Sequence, residues 1–81
     1  SEQIFRDIAN DKGTTKALAD SLKSGDEVAI DLYARIFGRR PTDDEKKLVN
    51  DLLTAEGANR RQVIEDVTWA MVNSAEFVFQ D

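Results

Sequence analysis

Apolar residues recur at intervals of three and four along most of the chain, with polar and charged residues between them. This interval gathers apolar side chains on one face of an α-helix, whereas a half-buried strand alternates apolar and polar residues. The 81 residues include four Gly and one Pro and no long alternating segment. The pattern therefore predicts an all-α fold, a small bundle of four to five short helices with orthogonal or irregular packing.

The first third of the chain is predicted to hold two short helices. The first is marked by Ile4, Phe5 and Ile8. It ends in a turn at residues 10–13, where Asn and Asp side chains can bond to their own backbone. Thr14 or Thr15 then caps a second helix, because a Thr hydroxyl accepts a bond from an unpaired N–H of the first helical turn. The second helix carries Leu18 and Leu22 and is predicted to close at Ser24 and Gly25.

The third predicted helix has the broadest apolar face. Asp26 and Glu27 place negative charge in its first turn, where the helix dipole favours it. It ends at Gly38, and Pro41 prevents the helix from continuing. Its apolar face consists of two adjacent rows, Val28, Leu32 and Ile36 beside Ala29, Tyr33 and Phe37.

A capping box predicts where the fourth helix begins. In such a box the Thr42 hydroxyl and the Glu45 carboxylate each accept a bond from a backbone N–H. The helix is predicted to end at residues 56–59, and Asn59 then caps a fifth helix that runs into an aromatic tail. The apolar residues of the fourth helix are Leu48, Val49, Leu52 and Leu53.

The tail holds the only Trp and two of the four Phe residues. Aromatic rings at helical spacing indicate packing against a core, so Trp69 is expected to join Leu32, Ile36 and Leu52 in a single core. The alternative is that Trp69 and Phe77 form an aromatic platform for a sugar or a peptide.

The composition removes most catalytic chemistry. The chain has no Cys and no His, which excludes disulfides, thiolate nucleophiles, imidazole bases and the usual zinc and haem-attachment patterns. A net charge of −5 disfavours nucleic acid, and no apolar run approaches the roughly 18 residues that span a bilayer. Asp43, Asp44 and Glu45 lack the alternating ligands of a calcium loop. We therefore predict no enzyme activity, catalytic residue, cofactor, metal, nucleic-acid partner or membrane insertion.

Two segments resemble a known family. Residues 32–45 contain a Leu-Tyr helix followed by a Gly-Arg-x-Pro-Thr turn, and residues 64–77 end in Trp-Ala-x-x-Asn-Ser-x-Glu-Phe. Together they are similar to the C-terminal segment of the planctomycete cytochrome-c-associated domains of unknown function, although Val67 and Thr68 replace the more usual Leu-Leu or Leu-Val before Trp. The resemblance covers the chain from about residue 12 onward.

This resemblance implies a large, exported or periplasmic multidomain protein that often carries cytochrome domains elsewhere. The haem association does not extend to this segment, which has no Cys-x-x-Cys-His. The family has no established activity, so it supplies no catalytic residue. The chain, which does not begin with Met, is therefore expected to be one helical domain, residues 1–81, cut from a larger protein.

Six residues are candidates for interaction: Trp69, Tyr33, Asn73, Glu76, Arg39 and Arg40. Asn73 and Glu76 form either a polar docking spot or, as we favour, a second capping box that starts a new helical turn. Arg39 and Arg40, with Arg35, Arg60 and Arg61, form either an anion-binding patch or, more commonly for such residues, solvated helix ends and surface ion pairs.

The function predicted from these observations is a non-catalytic helical module that serves packing or protein interaction. Its partners are expected to be other domains of the parent protein, and the isolated domain is expected to be a monomer. Two alternatives stay open: a carbohydrate- or peptide-binding module that uses Trp69 or Tyr33, and a non-catalytic part of a larger enzyme whose chemistry lies upstream.

Overall fold

The computed structural model describes residues 12–21 and 23–78, with every side chain in these ranges except those of residues 12, 14, 15 and 76–78. These residues form four helices and no strand, which confirms the all-α prediction. The helix predicted around Ile4 and Ile8 lies outside the described residues. The four helices are α1 (Lys12–Asp20), α2 (Gly25–Phe37), α3 (Asp43–Thr54) and α4 (Arg60–Val78).

The boundaries predicted for α1 are wrong at both ends. The helix begins at Lys12, so Thr14 and Thr15 lie inside its first turn and do not cap it. It ends at Asp20, where the Ser21 hydroxyl donates to the Leu18 carbonyl at 2.7 Å and so satisfies one of the last free acceptors. The helix therefore stops before the predicted Ser-Gly end.

Ser24 begins α2 and does not close α1. Its hydroxyl accepts from the Glu27 N–H at 3.2 Å, and the Glu27 carboxylate accepts from the Ser24 N–H at 3.3 Å. Such a box needs an acidic or amide side chain three residues after the Ser, and Glu27 supplies it. Gly25 is then the first residue of α2, and it lies against α3: a Cβ there would be 2.6 Å from the Asn50 Cα.

The predicted turn between α2 and α3 is confirmed. Gly38 adopts a left-handed conformation with φ of 66°, which glycine tolerates without steric cost. Thr42 accepts from the Glu45 N–H at 3.2 Å, and the Glu45 carboxylate accepts from the Thr42 N–H at 2.8 Å. Five residues, 38–42, therefore connect α2 to α3, and the two helices pack against each other.

The start of α4 is also confirmed, but its predicted interruption is not. The Asn59 side chain accepts from the Gln62 N–H at 3.0 Å, as expected of a cap. The helix then continues without a break through Asn73, so Asn73 starts no new turn and the second capping box is wrong. The buried residues Met71, Val72 and Ala75 lie on both sides of that position, and their packing keeps one helix intact.

All four helices contribute residues to the core, and α4 packs against the other three. The buried apolar members of the core are Leu18, Val28, Ala29, Leu32, Ile36, Val49, Ile64, Met71, Val72 and Ala75. Thr68 is buried among them with 1% of its surface exposed, and its hydroxyl donates to the Ile64 carbonyl at 2.7 Å. This intrahelical bond allows a polar residue at a core position.

Trp69 is half-buried and packs against this core, as predicted, but Leu52 does not belong to it. Leu52 is 42% exposed, because α3 buries only Val49 fully against its neighbours. The predicted single core of Trp69, Leu32, Ile36 and Leu52 is therefore wrong in its last member.

Candidate interaction groove

A groove of about 320 Å³ runs between α3 and α4 and ends at the last turns of α2. Its floor is apolar. The groove is open to solvent, and Leu48 on its wall is 60% exposed. The residues that line it are Tyr33, Phe37, Glu45, Leu48, Val49, Leu52, Val67, Ala70, Met71 and Ser74.

The two walls of the groove differ in side-chain size. On α3, Leu48 and Leu52 are one turn apart and are the large apolar side chains most exposed in the described part of the chain. On α4, Ala70 and Ser74 are also one turn apart, exposed and small. A ridge of large residues therefore faces a shallow row of small ones, and such a surface accommodates the ridge of another helix.

The α2 end of the groove is aromatic and is covered by an arginine. The Tyr33 and Phe37 rings lie 5.3 Å apart between centroids, tilted by 33°. The Arg39 guanidinium lies 5.2 Å from the Tyr33 centroid and 5.5 Å from that of Phe37, within the range of cation–π attraction. A cation of the same chain therefore already lies over both rings at this end of the groove.

Glu45 holds Arg39 in this position. The two nitrogens Nη1 and Nη2 donate to the two carboxylate oxygens at 2.9 and 3.0 Å, a bidentate pair. This pairing, together with the bond from the Thr42 N–H, lowers the pKa of Glu45 to about 2. Burial raises the pKa of the Tyr33 hydroxyl, and the nearby Glu45 carboxylate raises it further. Glu45 is therefore ionised and fully paired at neutral pH, which makes it a poor proton donor or base.

Of the six candidate residues, the structure brings together Tyr33 and Arg39. Arg40 is exposed, and its backbone carbonyl accepts from Arg39 at 2.9 Å. Asn73 is exposed on α4, and Trp69 packs on the core without lining the groove. The side chain of Glu76 lies outside the described residues.

The favoured prediction of surface ion pairs is confirmed for three of the five arginines. Arg35 pairs with Asp31 at 2.7 Å, Arg39 pairs with Glu45, and Arg61 lies 3.4 Å from Glu65. Each pair neutralises its guanidinium locally.

Arg60 has a role that the sequence did not indicate. Its guanidinium donates to the carbonyls of Ala19, Leu18 and Lys23 at 2.9, 3.2 and 2.9 Å. Leu18 and Ala19 lie at the carboxyl end of α1, where carbonyls lack helical partners, and Lys23 lies in the connection to α2. Arg60 thus ties the start of α4 to the end of α1.

The exposed leucines are the functional candidates that the sequence analysis missed. A signal was present: α3 carries four apolar residues in two adjacent pairs, a wider apolar face than one neighbouring helix covers. Only the tertiary arrangement shows that Val49 is buried and that Leu48 and Leu52 face the groove.

Within residues 12–21 and 23–78, no three acidic side chains gather so that they could hold a metal ion. Among the same residues no helix has the length and apolar character of a membrane span. Comparison with protein-family models, curated proteins and solved structures found no match for the chain.

Proposed function

We propose that the chain is a non-catalytic helical module that packs against or binds another protein segment through the groove between α3 and α4. The observation that carries the proposal is the pair of exposed leucines, Leu48 and Leu52, on the wall of an apolar groove. Large apolar side chains exposed side by side commonly mark an interaction surface, because water contact with them is unfavourable.

The parent of this module is proposed to be a larger exported multidomain protein, in which the groove contacts another domain. The resemblance of residues 32–45 and 64–77 to the planctomycete domains supports this part of the proposal. Contacts between domains of one chain bury modest apolar surfaces, and a groove of about 320 Å³ is of suitable size for a few side chains.

A peptide suits the groove better than a carbohydrate. Sugar platforms need an open aromatic face, but Tyr33 is covered by Arg39, and Trp69 packs on the core. The polar side chains in the groove are Tyr33, Glu45 and Ser74, and the Glu45 carboxylate is already paired. Few polar groups are left to read the hydroxyls of a sugar.

Cysteine labelling, read by mass spectrometry at the modified residue, tests the proposal, because residues 1–81 contain no other Cys. Ser74→Cys places a thiol in the groove with little change of shape, and Ala34→Cys places one on an exposed part of α2 outside it. In the isolated domain both thiols should react with a maleimide at similar rates. In the intact parent protein, Ser74→Cys should react at least about tenfold more slowly, because an interface core excludes water.

The control, Ala34→Cys, should react with the maleimide at the same rate in the isolated domain and in the parent protein. Equal rates for Ser74→Cys in the isolated domain and in the parent protein would show that nothing covers the groove and would contradict the proposed function.

A further inference from the structure

We infer that the segment seated in this groove is an amphipathic helix of a partner protein or domain, with basic residues beside its apolar stripe. This inference rests on the proposed function and adds the shape and charge of the partner. It follows from the spacing of the groove walls, the state of their backbone groups and the charges around them.

The walls select a helix over an extended strand. Both α3 and α4 are regular helices, so their backbone N–H and C=O groups are paired within each helix and offer no ladder to an added strand. Leu48 and Leu52 lie about 6 Å apart along α3, the rise of four helical residues. A partner helix lying along α3 therefore meets both leucines with apolar residues of its own at the same interval.

The small residues of α4 supply the space for that helix. Ala70 and Ser74 form the low wall, with Met71 at the base of the groove. Apolar side chains of a partner at positions i, i+3 or i+4, and i+7 would fill the row between Leu48 and Ala70.

The charge around the leucines favours a basic partner. Helix α3 carries four carboxylates against two lysines. Asp44, one turn before Leu48, is exposed and forms no ion pair with any described residue. Asp51 lies between the leucines and pairs with Lys47 at 2.7 Å. A cation beside the apolar stripe of the partner would meet Asp44 directly.

The same charge disfavours a second copy of this chain as the occupant. Each copy carries a net charge of −5, and a symmetric contact would bring two acidic α3 helices together. A basic helix gains attraction where a second copy meets repulsion.

Three designed helical peptides of about 18 residues, a length at which isolated helices become stable enough to test, serve as probes. The first carries leucines at helical spacing with flanking lysines. The second has the same leucines with flanking glutamates, and the third keeps the lysines but has glutamines for leucines. Calorimetric titration gives the affinities, and amide chemical shifts locate the binding surface.

The first peptide should bind the groove, and the other two should bind at least about tenfold more weakly at low salt. The difference between lysine and glutamate flanks should shrink at high salt, because screening weakens exposed charge pairs. Leu48→Ser should weaken binding of the first peptide, and the circular dichroism of the domain should stay unchanged.

A matched pair of charge variants separates local from overall attraction. Asp44→Lys and Asp20→Lys change the net charge equally, and both residues are exposed, but only Asp44 lies beside Leu48. Asp44→Lys should reduce the preference for lysine flanks more than Asp20→Lys does. Equal effects would mean that overall charge alone attracts the peptide, and they would overturn the inference.

Other outcomes overturn different parts of the argument. Equal binding of the lysine- and glutamate-flanked peptides would contradict the inference that the partner is basic. Binding of the peptide without leucines would contradict binding through the apolar groove. Self-association of the domain that Leu48→Ser abolishes would identify a second copy as the occupant. If no leucine peptide binds while Ser74→Cys is still protected in the parent protein, the helical partner is wrong and the proposed function stands.

Discussion

At the scale of single residues, Glu45 links more of this structure than any neighbour in the turn. Its carboxylate accepts from the Thr42 N–H as part of the α3 cap and holds both terminal nitrogens of Arg39. Arg39 in turn covers the Tyr33 and Phe37 rings. One side chain therefore couples a helix start to the aromatic end of the groove.

The first prediction concerns the protonation of Glu45. Its pKa in the folded chain is about 2, below the ordinary value of 4.5, because Arg39 and the Thr42 N–H favour the carboxylate. As the pH falls, the unfolded chain takes up this proton first, so the stabilisation is complete above about 4.5 and is lost toward about 2. Carboxyl ¹³C shifts should show the low midpoint directly.

Glu45→Gln checks the same point by stability. The variant should be less stable than the unsubstituted domain at pH 7. The difference in free energy of unfolding between the two should narrow as the pH falls below about 4.5. Glu56→Gln, at an exposed position outside the helices, is the control and should leave the pH profile nearly unchanged. A gap that stays constant from pH 7 to pH 2.5 would contradict the lowered pKa.

At the scale of helices, two contacts decide how the elements meet. Gly25 lets the start of α2 approach Asn50 on α3, and Arg60 bonds the start of α4 to the end of α1. Neither contact depends on the apolar pattern. The apolar pattern predicts that the helices form, and these two contacts set where they lie.

The second prediction is that Gly25→Ala destabilises the domain. Alanine in a helix is ordinarily more stable than glycine by about 0.5–1 kcal/mol. Here the added Cβ would lie 2.5 Å from the Asn50 Oδ1 and 2.6 Å from its Cα, so a backbone must move. We expect a net loss of about 1–3 kcal/mol in urea unfolding, as for other overpacked sites. A stabilised variant would show that the two helices are not held this close.

The third prediction is that Arg60→Ala costs about 1–3 kcal/mol, since three carbonyls lose a charged donor. In this variant the amide hydrogens of α1 should also exchange faster. Arg61→Ala is the matched control: Arg61 is exposed and its pair with Glu65 spans 3.4 Å, so its loss should cost less than about 0.5 kcal/mol. Equal costs for the two variants would rule out the tie between α1 and α4.

At the scale of the whole molecule, the apolar residues divide into two sets. One set is buried in the core and includes Val49 and Met71, which also line the groove, and the other set consists of the exposed Leu48 and Leu52. The free energy of burial in the isolated domain therefore comes mainly from the first set, and the proposed interaction surface consists of the second.

The fourth prediction tests this division. Leu48→Ser and Leu52→Ser should each change the free energy of unfolding by no more than about 0.5 kcal/mol, as surface substitutions usually do. Leu32→Ala, in the fully buried set, should cost roughly 2–5 kcal/mol. A large loss for Leu48→Ser would mean that the groove belongs to the core and would argue against an interaction surface.

The sequence by itself determined the features that depend on local chemistry. The helical class, the Gly38 turn, the Thr42 box and the Asn59 cap all follow from periodicity or from bonds within a few residues, so the pattern predicts them correctly. Local chemistry also misled where two local solutions competed. Ser24 suits a helix start as well as an end, and Asn73 resembles a cap but lies within a packed helix.

The tertiary structure alone decided which apolar residues are covered. Leu48, Val49 and Leu52 are alike as letters in an amphipathic pattern, yet Val49 is 4% exposed and Leu48 60%. The difference arises from where α2 and α4 pack against α3, which depends on contacts between residues far apart in sequence, such as Gly25 with Asn50. The groove is a product of that packing, because a surface between helices exists only once the helices have met.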